Sequence, residues 1–164
     1  MLALFFSRDA AASAARALHD VSVPRDRISV ISRNHDEESA LASDLDATPG
    51  SEIEDSPAAG RLGELSGYIL AAIALVLPGV GPIVAAGPLA AGLGEAAGHV
   101  AGGLSSALQG AGIAAERADG LEEAVKEGAI LLGVHTSSQN AGIVHDVLRA
   151  NGATEIQTAT WDQP

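Results

Sequence analysis

A strand, a helix and a strand near each end of a 164-residue chain, separated by an uncharged block rich in glycine and alanine, predict an α+β fold. Two split βαβ halves of this kind build a ferredoxin-like βαββαβ sandwich, an antiparallel sheet with two helices on one face. The apolar block then falls between the second and third strands as a glycine-rich helical hairpin. The expected division is a sandwich from residues 1–32 and 111–164, an acidic linker over 33–58 and the hairpin over 59–110.

Leu2 to Phe6 is an apolar run of strand length, closed by Ser7-Arg8-Asp9. Ser7 or Asp9 caps the helix from about Ala10 to His19, whose apolar stripe falls at Ala11, Ala14, Ala15 and Leu18. After Pro24, Ile28 to Ile31 is a second strand, with Ile28 and Val30 on one face and Ser29 and Ile31 on the other. The two strands share one sheet through a right-handed crossover. Residues 33–58, rich in acid, serine and proline, read as a solvated linker.

Beyond the insert, Ala114 to Glu127 has helical spacing at Ala118, Leu121 and Val125, with Gly128 as its C-terminal stop. Ala129 to Val134 is the most apolar strand of the chain. Ser137 or Ser138 caps a helix from about Asn140 to Ala150, with Ile143, Val144, Val147 and Leu148 facing inward and Asn151-Gly152 ending it. The alternation of Thr154 to Trp161 completes the sheet.

Between Glu64 and Glu95 no residue is charged, and small residues recur at Ala59, Gly63, Gly67 and Ala71, then at Ala90, Gly94, Gly98, Gly102, Ser106 and Gly110. Residues four apart share one helix face, so two helices bearing this register can pack closely. The expected hairpin runs from Ala59 to Leu77, turns at Pro78 to Pro82 and returns from Pro88 to Leu108. A span across a bilayer fits less well, because Leu65 to Leu77 is only about 20 Å long as a helix. Self-association into a homo-oligomer through Gly63, Gly67, Ala71, Ala90, Gly94, Gly98, Gly102 and Ser106 is therefore the expected role of the block. Weak membrane association through 65–94 is the competing role.

The net charge of −12 disfavours nucleic acid and anionic lipid, and 2% aromatic residues leave few stacking platforms. Without cysteine there are no disulfides, thiolate nucleophiles or cysteine metal sites. MLALFF has no basic flank and reads as the first strand of a cytoplasmic protein.

The opening strand and alanine-rich helix, LPGVGPIVAAGPLAAGLG at Leu77 to Gly94 and GIAAERADGLEEAVKEGAILLGV at Gly112 to Val134 resemble the YflT-like bacterial general stress proteins. The resemblance implies a cytoplasmic, stress-associated protein with no established enzymatic activity. No catalytic, cofactor-binding or metal residues are assigned, and no cofactor is expected. Glu95 and His99 are too few for a metal site. Asn34 to Glu38 lacks calcium-loop spacing, and Gly79-Val80-Gly81 lacks the end of a phosphate loop. His135 and the pair His145-Asp146 are placed to meet at a sheet edge, where they would serve a small-ligand-binding regulatory module.

Overall fold

A computed structural model describes residues 1–33, 72–77, 80–87, 89, 103–110 and 112–159. Its elements are β1 (Leu2–Phe5), α1 (Arg8–Asp20), a short 3-10 turn (Arg25–Arg27), β2 (Ile28–Arg33), β3 (Ala72–Leu77), β4 (Gly81–Ala86), α2 (Leu104–Gly110), α3 (Ala115–Lys126), β5 (Ile130–Val134), α4 (Ala141–Ala150) and β6 (Glu155–Gln157). The six strands form one antiparallel sheet in the order β3-β4-β2-β5-β1-β6.

The pleat sends alternate side chains to opposite faces, and helices cover both faces of β1, β2 and β5. On one face Ala3, Phe5, Ile28, Val30, Ile130, Leu132 and Val134 meet the alanines and Leu18 of α1 and Val144 and Leu148 of α4. On the other, Leu2, Leu4, Ile31, Ile83, Ala85 and Leu131 meet Leu104 and Leu108 of α2 and Leu121 and Val125 of α3. Helices on both faces replace the expected helices on one. This explains why β5 is buried at every position and its sequence shows no polar alternation.

Part of the helical hairpin is corrected. Ala72–Leu77 was expected as helix and is a strand, paired with β4 from Ala72↔Ala86 to Leu77↔Gly81. β4 in turn joins the sheet through β2, from Val30↔Ala86 to Arg33↔Ile83. Ile73, Val76, Ile83 and Val84 are β-branched, and the ladders from β3 to β4 and from β4 to β2 hold them in a sheet; that outweighs a small-residue spacing none of whose members lies within Ala72–Leu77. Pro82 lies just beyond the β2 register, where its missing N–H breaks no bond to β2.

After β4 the chain folds back onto the sheet. Gly87 sits at φ +82°, and a Cβ there would collide with the Ile28 carbonyl oxygen. The buried Ser29 hydroxyl accepts a bond from the Leu89 amide (3.0 Å), and Leu89 covers Gly133, where a Cβ would meet its Cδ1 at 2.6 Å. Three further differences concern extent. Ile143 is exposed instead of facing inward, β6 is three residues long, and Phe6 lies outside β1 and is exposed.

Candidate functional site

Ser7 opens α1 by accepting a bond from the Ala10 amide (3.4 Å). At its other end the Ser22 amide bonds His19 O (2.9 Å) and the Val23 amide bonds Leu18 O (3.0 Å), the reciprocal pair that closes a helix when the residue between is left-handed. Ser22 adopts φ +66°, the single non-glycine residue with positive φ among the described residues. Val23 is buried by this reversal, Pro24 starts the 3-10 turn, and Arg27 ends it.

The turn is tied to the end of β5, where the His135 amide donates to Arg27 O (2.8 Å). Beside it, Met1 and Val134 exchange two bonds of 2.8 Å each. From His135 the chain runs through Thr136 and Ser137 to Asn140, whose amide donates to Ser137 O (3.1 Å), and enters α4. The first turn of α4 contains no acidic residue.

Between these two segments lies a cleft of about 320 Å³. One wall is Val21, Ser22, Val23, Pro24 and Arg27, and the other is His135, Thr136, Ser137, Asn140, Ile143 and Val144. The chain carries 21 acidic residues against 9 lysines and arginines, yet among the described residues none that is acidic lines this cleft. Its charge comes from Arg27, and its remaining polar groups are hydroxyls, an amide and the imidazole. Burial, first, and then the Met1 ammonium and the Arg27 guanidinium push the His135 pKa below its ordinary value. The ring is therefore neutral at pH 7 and can both donate and accept hydrogen bonds.

Such a lining can hold a small molecule by hydrogen bonds and one charge while apolar side chains cover its body. Among the described residues, no three His, Cys, Asp or Glu side chains gather as a metal site.

Of the histidines expected to meet, His135 lines the cleft and His145 does not. His145 lies on α4 with its Nδ1 3.5 Å from Asp146 Oδ1, in an exposed pair. Gly63, Gly67, Ala71, Ala90, Gly94, Gly98 and Gly102 lie outside the described residues, as do Asn34 to Glu38, Glu95 and His99. Ser106 is half-buried in α2, and Val80 belongs to the core. Among the described residues no helix is long and apolar enough to cross a membrane, and the described part of 65–94 includes β3 and β4. Sequence reasoning did not single out Ser22 and Arg27; the pointer to them was a helix stop without glycine, Val21-Ser22-Val23-Pro24, followed by Arg25-Asp26-Arg27.

No protein-family model, no curated protein and no solved structure matches the chain.

Proposed function

We propose that the protein is a non-enzymatic, ferredoxin-like binding module that takes a small molecule in the cleft between the end of α1 and the start of α4. The observation that carries this reading is a cleft lined by Arg27 and His135 together with hydroxyl, amide and apolar side chains, none of the described lining residues being acidic, in a chain of net charge −12. The architecture is supported by the run β2-β5-β1-β6 within the sheet order, with α1 and α4 on one face of the sheet. The resemblance at Leu77 to Gly94 and Gly112 to Val134 supports a cytoplasmic setting in the stress response. The test is a nitrogen-15 amide spectrum of the full chain, recorded with a chemically mixed set of small compounds. Saturable shifts should cluster at residues 21–27 and 135–144; a set that moves no amide there removes this reading.

A second reading, homo-oligomer assembly, is favoured by β3. It stands at the end of the sheet with β4 as its one neighbour among the described residues, and its sequence AIALVL has no charge and no proline. Natural edge strands usually carry such residues to prevent pairing with another chain. Two copies pairing β3 to β3 would continue the sheet across a two-fold axis. Native mass measurement should give a dimer or larger species, and Leu75→Lys should shift it towards monomer. A wild-type chain that stays monomeric at every concentration excludes this assembly.

A further inference from the structure

We propose that the cleft selects a small monocarboxylate with a branched aliphatic body, with Arg27 holding its charged end and Val21 and Ile143 covering its apolar end. The proposal rests on the ligand-binding reading and names the class of ligand.

The charged end follows from what lines the cleft. A guanidinium presents a planar fork that matches a carboxylate through two parallel bonds. Among the described residues no acidic side chain of the lining occupies that role. The amount of charge matters too. With His135 neutral at pH 7, Arg27 is the one full charge among the described residues that line the cleft, which balances a monoanion better than a phosphate dianion. The Met1 ammonium also acts on His135 from the side of β1, and it is positive as well.

The apolar end follows from exposure. Among the described residues three large hydrophobic side chains are exposed, and two of them, Val21 at 40% and Ile143 at 53%, line this cleft from opposite walls. Buried Val23 and Val144 continue the same surfaces inward. An aliphatic body lying between them would remove that area from water. At about 320 Å³ the cleft is at the lower end of ligand sites, which suits a short acid. Among the described residues no Phe, Tyr or Trp lines it for stacking a base.

The experiment titrates the full chain with 3-methylbutanoate, with the uncharged 3-methylbutanamide and with inorganic phosphate, following the amides of 21–27 and 135–144. The acid should bind saturably and about tenfold or more tightly than either of the others, since a lost charged hydrogen bond has that effect on affinity. Arg27→Gln should weaken the acid by a similar factor and leave the amide unchanged. The backbone bond from His135 to Arg27 O survives that substitution, so the fold is kept. Ile143→Ser should weaken acid and amide alike, by severalfold. Equal binding of acid and amide, preference for phosphate, or no effect of Arg27→Gln overturns the ligand class while leaving a binding cleft. If the acid fails but other small compounds move these amides, the class is again overturned; if no compound moves them, the binding reading itself fails.

Discussion

At the scale of single residues, the position that differs most from its counterparts is Ser22. Helices α2, α3 and α4 all end in the same reciprocal bond pair, and each places glycine at the left-handed position: Gly112, Gly128 and Gly152. Only α1 places a residue with a Cβ there. Left-handed backbone costs such a residue about 1 kcal/mol or more relative to glycine. Strain of this kind gathers where a side chain has a use, and Ser22 lines the cleft. Ser22→Gly should therefore stabilise the fold by roughly 1 kcal/mol, seen as a higher urea midpoint at unchanged slope. A lower midpoint would show that the serine hydroxyl contributes more to stability than its backbone costs.

At the scale of elements, the sequence was readable where one local rule and one tertiary demand agreed. Helix α3 is the clearest instance: Ala118, Leu121 and Val125 are its buried residues, and Gly128 at φ +100° ends it as its position implied. For β2 the alternation also held, with Ile28 and Val30 in one core cluster and Ile31 in the other. The reading went wrong at Ala72 to Leu77, where alanines permit helix and isoleucine, valine and leucine permit strand. There the ladder to β4, and through it to β2, decides, and no residue within the segment announces such a distant partner. Ile143 shows the same limit. Helical spacing places it beside Val144 and Leu148, but α4 buries a narrower stripe and leaves Ile143 at the cleft mouth. The cleft itself joins residues more than a hundred positions apart, and what brings them together is the pairing of β5 between β1 and β2.

At the scale of the whole molecule, the burial that makes the cleft also links stability to pH. His135 is held below the ordinary imidazole value of about 6.5, first by burial and then by the positive charges of Met1 and Arg27. The unfolded chain, at the ordinary value, therefore binds a proton that the folded chain refuses in the interval between the two. The stability that His135 contributes is complete above about pH 6.5 and is lost as pH falls through the folded value. The Met1 ammonium, lowered by burial, acts with the same sign from about pH 8 downward. Lys126 is raised, chiefly by its hydrogen bond to Glu122, and titrates far on the alkaline side, so it leaves this window untouched. Urea unfolding between about pH 7.5 and about pH 5 should show stability falling with acid, and His135→Gln should flatten the slope below about 6.5. Identical slopes in the two proteins would mean that His135 is no more buried from protons in the fold than in the open chain. Bound carboxylate adds a test in the opposite direction. An anion beside the ring favours its charged form, so at about pH 6 the complex should take up a proton that the empty cleft excludes, and binding should tighten as pH falls.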